Sequence, residues 1–266
     1  MPTIALIVNT YEQPEYLSRV LRAVASQTRL PDEIILADDG SGSEMKSRFA
    51  AWSGEQSFRT EHVWQEHTGF RRSRILNEAI ARTRSDYIVF LDGDTIPHPR
   101  FISDHQQLAT PDHLVQGHRA LIEKKAATYF GLNAFSASRR KALFTCQLSG
   151  IKHAYRWPAP LRKARTDLRG VRGCNLAIWR KDLVRVNGYN EAFEGWGRED
   201  SELCVRLMNS GVSRTDVRGW ALCYHLWHPP ASRGQLNTND HLLQTAIDER
   251  WQVCQTGLSQ HLHSSP

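Results

Sequence analysis

Long apolar runs are missing from this chain of 266 residues. The longest, such as Tyr87 to Leu91, fall far short of the roughly 20 residues a membrane-spanning helix needs, so no such helix is expected. The N-terminus lacks a basic leader, an apolar core longer than Ile4 to Val8, and a small-residue cleavage site, so a cytosolic protein is the expectation. Cysteine is scarce. The five residues Cys146, Cys174, Cys204, Cys223 and Cys254 are widely spaced and never form CxxC, which argues against a disulfide framework or a thiolate zinc site. They read as reduced core thiols. With 17 Gly and 11 Pro there is no collagen-like bias, and no internal repeat is present. What remains is a globular composition, 40% apolar and 23% charged, with Lys+Arg 34 against Asp+Glu 28 and a net charge of +6. This length holds one large α/β domain or two small ones and buries a core unaided.

The first third alternates apolar runs with helical patterns. Ile4 to Val8 ends at Asn9-Thr10, and Leu17, Val20, Leu21 and Val24 then recur with helical spacing behind Pro14, which is placed for a helix start. Glu33 to Ala37 forms a second buried run that stops at the turn-forming Asp38-Asp39-Gly40-Ser41-Gly42. His62 to Trp64 is a weaker strand, Ile75, Leu76, Ala79 and Ile80 predict a helix, and Tyr87 to Leu91 runs into Asp92-Gly93-Asp94. Unbroken apolar strands separated by helices predict a mostly parallel central sheet with flanking helices. Ligands bind such sheets beyond the carboxyl ends of the strands.

Residues 119–172 differ in character. Basic residues, among them Arg139, Arg140, Lys152, Arg162, Lys163, Arg165, Arg169 and Arg172, are mixed there with Phe130, Phe144, Tyr155 and Trp157. Such a stretch is read either as a solvated insertion or as a surface for an anionic membrane or an anionic acceptor. No nucleic-acid motif accompanies it, so no nucleic acid is expected as a partner. Segments 1–118, 119–172 and 173–266 are therefore expected as a first half, a basic insertion, and a second half with a C-terminal tail. In the last segment Leu176 to Trp179 reads as ordered, Lys181 to Val186 as a helix, and Trp220 to Tyr224 as a late strand reaching His225.

Three groups carry chemistry. Asp92-Gly93-Asp94 follows the strongest predicted strand, and two carboxylates this close repel unless a cation attends them, which suits Mg²⁺ or Mn²⁺ shared with phosphate oxygens. Gly195-Trp196-Gly197-Arg198-Glu199-Asp200 places two acids at a helix start, where the macrodipole favours ionised carboxylates. His225 and His228 sit near the end of the late strand as candidate metal ligands.

The order IALIVNTYEQPEYL, EIILADDGS, DYIVFLDGDTIPHP, GCNLAIWRKDLVRVNGYNEAFEGWGRED and CYHLWHP resembles a family 2 glycosyltransferase of the GT-A fold. Its second half is similar to the galactosyltransferase-like region of bacterial polysaccharide and lipopolysaccharide transferases. The resemblance covers about residues 3–100 and 172–230. It implies an inverting enzyme that moves a sugar from a UDP-sugar to a hydroxyl of a bacterial surface glycan, free or lipid-linked, at the inner face of the cytoplasmic membrane. By the same resemblance, Thr10, Tyr11 and Asp39 hold the nucleoside, while Arg71, Arg72, Arg74 and Asn77 lie in the segment near the diphosphate. Asp92 meets ribose or sugar, and Asp94 binds Mn²⁺ or Mg²⁺ with His225 or His228. Trp196 packs on sugar, Glu199 holds its hydroxyls, and Asp200 is the base. Arg198 departs from the pattern, which usually has a small residue there; it reads either as a contact to an acidic acceptor or as a solvent-facing side chain. Two other readings stand beside this one. A nucleotidyltransferase would carry a glycine- and basic-rich loop where Thr10-Tyr11-Glu12 stands, and a non-catalytic binding module would not need Asp94, Asp200 and His225.

Overall fold

The structure is a computed structural model that describes residues 1–131 and 135–262; the last four residues of the expected tail lie outside the described residues. Strand β1 (Ile4–Thr10), helix α1 (Pro14–Ala25), β2 (Glu33–Asp38), α2 (Ser43–Ser53), β3 (Arg59–Trp64), α3 (Arg72–Arg82) and β4 (Tyr87–Asp92) alternate through the first third. The middle holds β5 (Thr95–Pro97), α4 (Phe101–Leu108), β6 (His113–Gln116), β7 (Arg119–Ile122), α5 (Lys124–Ala127), α6 (Phe135–Phe144), β8 (Leu148–Ser149) and β9 (Leu161–Arg165). The remainder contributes β10 (Leu176–Trp179), α7 (Arg180–Arg185), α8 (Glu199–Asn209), β11 (Ser213–Arg218), β12 (Cys223–Leu226), α9 (Leu236–Asp248) and α10 (Ser259–Leu262).

Eight strands form one mixed sheet in the order β3-β2-β1-β4-β10-β6-β11-β9. Only β10 and β9 run against their neighbours, so six of the eight share one direction. Strands β1, β2 and β4 are buried on both faces, which is why they read as unbroken apolar runs. Each fully buried Ile, Leu or Val in them contributes about 1.5–3 kcal/mol. Pro14 opens α1 as its first residue, where the missing N–H costs nothing, and Leu17, Val20, Leu21 and Val24 form its buried face. The parallel register sets Asn9 opposite Asp92 and Thr10 opposite Asp38, so the polar ends of β1, β2 and β4 form one rim.

A second sheet, β5-β12-β7-β8, lies beyond that rim. Its strands have two to four residues. The late strand begins at Cys223 rather than Trp220, because the chain turns at Gly219 and Ala221, both with positive φ. His225 therefore lies inside β12. Phe130 is buried against Tyr224 rather than displayed, while Phe144, Tyr155 and Trp157 are exposed. All five cysteines are free; four are buried as expected, but Cys146 is exposed in a positive-φ turn. No described helix is long and apolar enough to cross a membrane.

Candidate active site

Arg72 organises the acids. It is the first residue of α3, and its position three and four residues before Ile75 and Leu76 turns it towards the buried face of that helix. Its Nη1 lies 2.9 Å from Asp200 Oδ1 and 3.2 Å from Glu199 Oε1, while Nη2 lies 3.6 Å from Asp92 Oδ1. The guanidinium also stands over the Tyr189 ring. Asp200 gains two more donors: the Gly173 N–H reaches Oδ2 at 2.7 Å, and the Tyr189 hydroxyl reaches Oδ1 at 3.3 Å. Gly173 is required by this approach, since a Cβ there would collide with Arg72 Nη2 and with both Asp200 oxygens.

One guanidinium faces three carboxylates, and the balance shows in their ionisation. Burial, with the Asp200 charge beside it, pushes the Glu199 carboxyl up to about 7 despite Arg72. Burial likewise raises Asp92 to about 6 against the pull of Arg72. Both keep an oxygen with no hydrogen-bond partner, Glu199 Oε2 and Asp92 Oδ1. Breaking a buried ion pair typically costs about 3–5 kcal/mol. Arg72 thus ties α3, α8 and the end of β4 into one unit.

Two residues past Asp92, Asp94 meets both histidines. The intervening Gly93 lets the loop pass close to Thr10, whose Oγ1 would lie 2.7 Å from an added Cβ. Antiparallel pairing of β12 with β5 sets His225 opposite Thr95, and the Leu226 N–H donates to the Asp94 carbonyl at 2.9 Å. His225 Nε2 then stands 3.5 Å from Asp94 Oδ1, and His228 Nε2 stands 3.0 Å from Oδ2. The ligand atoms of the three side chains all lie within 4.8 Å of one another. Burial pushes Asp94 up, but the His228 hydrogen bond and the charges of both imidazoles outweigh it and hold the carboxyl below its ordinary value. The bond to Asp94 raises His228 against burial, whereas burial lowers His225 to about 4. This trio can hold a divalent cation.

At the β2 end of the rim the two adjacent acids separate. Asp38 locks its own turn, accepting from the Ser41 N–H at 2.8 Å and contacting His62 Nε2 at 2.9 Å. Asp39 faces the other way, accepting from Gln65 Nε2 and from the Arg71 N–H at 3.1 Å, and burial raises its carboxyl above the ordinary value. Tyr11 is exposed there and stacks on His67 with ring centroids 4.3 Å apart.

The chain as a whole has counterparts among known proteins. Residues 5–178 match the family described as "Glycosyl transferase family 2". The chain belongs to that family. Residues 159–229 of this glycosyltransferase also match "N-terminal domain of galactosyltransferase". Among curated relatives, the chondroitin synthase of Escherichia coli is 25% identical over 87% of this chain and 36% of its own length. The validoxylamine A glucosyltransferase of Streptomyces hygroscopicus subsp. limoneus is 26% identical over 84% of this chain and 51% of its own length. The glycosyltransferase thus spans from about a third to about half of these two relatives. Its GT-A fold is shared with a Pyrobaculum calidifontis mannosyltransferase solved with GDP-Man and Mn²⁺, at a TM-score of 0.59, 18% identity, and coverage of 99% of this chain and 68% of that one.

The remaining expected residues fall differently in this glycosyltransferase. Asn77, expected near the diphosphate, is wholly buried. Its carboxamide donates to the Tyr189 carbonyl and to Glu191 Oε1, both at 2.8 Å, and accepts from the Tyr189 N–H, so it joins α3 to the 189–191 segment and is not open to a ligand. Arg71 donates to the Glu66 carbonyl, and Arg74 pairs with Glu78 at 3.0 Å. Thr10 is buried beneath Gly93. Trp196 is 40% exposed with Arg233 over its ring, and the Gly195 N–H donates to the Phe70 carbonyl, which joins the two loops that start α8 and α3. Arg198 takes a left-handed conformation and pairs with Asp240 of α9. Tyr189, Gly173, Gln65 and His67 were given no role from the sequence: the first two lie inside the GCNLAIW…GRED stretch but carry no chemistry of their own there, and the other two lie outside any motif. The periodicity that selects Arg72 from its neighbours was available in Ile75, Leu76 and Ala79.

Proposed function

We propose that the protein is an inverting, metal-dependent transferase that moves a sugar from a UDP-sugar to a hydroxyl of a bacterial surface glycan. The observation that carries this reading is the convergence of Arg72, Asp92, Glu199 and Asp200 beside the Asp94–His225–His228 trio. In this reading Asp39 accepts the uracil N–H beside Tyr11 and His67, and Asp92 offers its carboxylate to ribose or sugar. Asp94, His225 and His228 would hold the cation. A carboxylate with two imidazoles suits Mn²⁺ better than Mg²⁺, which favours all-oxygen sets. When bound, such an ion supplies charge neutralisation for the departing diphosphate. Trp196 offers an apolar face to the sugar, and Glu199 Oε2 a contact for its hydroxyls. Asp200, oriented by Arg72, Gly173 and Tyr189, takes the acceptor proton as the new bond forms.

Gly173→Ala tests the orientation. The added methyl forces Arg72 and Asp200 apart, and misplacement of about 1 Å typically costs on the order of 10²-fold in rate. We expect kcat to fall by about that factor with UDP affinity kept; wild-type kcat would mean that Asp200 needs no such support. The reaction itself is tested by incubating the protein with Mn²⁺ and a panel of UDP-, GDP- and dTDP-sugars and glycan acceptors, scoring released nucleotide. Release of UDP with an inverted product is expected. Turnover of nucleoside triphosphates alone would instead indicate nucleotidyl transfer, and binding without any turnover a non-catalytic module.

A further inference from the structure

On the opposite side of the acid cluster from Asp39, across β4 and β10, the molecule collects positive charge. In the sheet order, β2 with Asp39 and β6 are four strands apart, about 19 Å at the usual strand spacing, with Asp92 between them. His118, two residues past β6, stacks on His153 with centroids 4.4 Å apart and ring planes 16° from parallel. The segment 151–153 packs on β7 and carries Lys152, and Arg218 ends β11. Arg172 is clamped at its backbone, its N–H donating to Gln116 Oε1 and its carbonyl accepting from Gln116 Nε2, both at 3.1 Å. The next residue is Gly173, whose N–H holds Asp200. Arg119 starts β7 opposite Cys223, two residues before His225. The cluster therefore adjoins both the proposed base and the proposed cation site.

Asp216, the acid close to this cluster, is already engaged, with Arg214 at 2.8 Å and Arg165 at 3.2 Å, and stands 4.0 Å from His118. Among the described residues, Lys152, Arg172 and Arg218 form no ion pair with a carboxylate. Burial together with these cations lowers His118 and His153 to about 4, so both rings are neutral at pH 7 and the positive charge of the cluster rests on Lys152, Arg172 and Arg218.

We propose that Lys152, Arg172 and Arg218, grouped around the stacked His118 and His153, bind an oxyanion carried by the acceptor glycan and so present an acidic acceptor to Asp200. This rests on the glycosyl-transfer reading above and adds the acceptor's chemical class. The oxyanion can be a sugar carboxylate or a phosphate ester, which guanidinium and ammonium groups bind through the same charge-assisted contacts.

The test uses the full chain with Mn²⁺ and UDP and three tetrasaccharides that differ only at C6 of the terminal residue: glucuronate, glucose, and glucose 6-phosphate. Binding is measured by calorimetry. An anionic form is expected to bind roughly tenfold or more tighter than the glucose form, the advantage shrinking at high salt; the tighter of the two names the source. The double variant Lys152→Gln/Arg172→Gln, altered at exposed positions, should bring that ratio close to one with UDP affinity intact. Equal binding of all three forms by the wild type, or binding of none, overturns the proposal. So does a variant that loses UDP affinity while keeping the ratio, which would give these cations to the donor. Release of the variant from phosphatidylglycerol vesicles with the ratio unchanged would make the surface a membrane contact and also overturn it. Absence of Mn²⁺-dependent UDP binding defeats the donor reading instead, because the acceptor ratio is a separate measurement.

Discussion

Asp200→Asn is expected to keep UDP affinity while turnover falls on the order of 10² to 10⁴-fold, the usual contribution of a general base. The amide preserves size and can still accept at one oxygen, so α8 and the Arg72 contacts to Glu199 and Asp92 persist while proton acceptance is lost. Measuring kcat alongside UDP affinity separates the two, and near-normal kcat would dismiss Asp200 as the base. Glu199 supplies the specific rival. Its unpartnered oxygen and its elevation to about 7 match what a base working near neutrality needs. Were Glu199 the base, kcat would rise with pH through about 7 as that carboxyl ionises. That rise would vanish in Glu199→Gln, and Asp200→Asn would retain turnover. The assignment to Asp200 requires the opposite pattern.

The second large effect is expected from Asp94→Ala. Without the carboxylate, two imidazoles remain, His225 within β12 and His228 two residues beyond its end. Mn²⁺ should then no longer strengthen UDP binding, as read by calorimetry with and without the ion; unchanged enhancement would remove Asp94 from the cation site. Proton competition gives an independent sign. The hydrogen bond to Asp94 raises His228, so this imidazole keeps its proton to higher pH than an ordinary histidine, and a ligand must be deprotonated to bind a metal. Mn²⁺-dependent binding should therefore weaken as the pH is lowered and His228 takes up its proton. In the Asp94→Ala variant no Mn²⁺ enhancement should remain to weaken.

What could be read in the sequence was whatever short-range pattern dictates. The burial of β1, β2 and β4 wrote itself as apolar runs, and their polar ends named Asp39, Asp92 and Asp94 before any coordinates. The strands of the small sheet, two to four residues long, carry no periodicity, so the pairing that delivers His225 to Asp94 was not legible. Nor was the insertion of antiparallel β10 between β4 and β6, a long-range choice that sets Gly173 beside Asp200. Three arginines in a four-residue stretch, Arg71, Arg72 and Arg74, look equivalent as phosphate partners. The helix phase distinguishes them, giving the buried acids to Arg72. Asn77 obeys the same phase, which buries it and uses its amide on backbone and Glu191.

In the proposed donor complex a single divalent cation sits among Asp94, His225 and His228 while a uridine diphosphate group reaches from it to Asp39. Crystals grown with UDP and MnCl₂, measured at a wavelength where manganese scatters anomalously, address it directly. One strong anomalous peak is expected within coordinating distance of those three side chains, with uracil against Tyr11 and Asp39. A peak elsewhere, or UDP bound with no peak among the three, would contradict it.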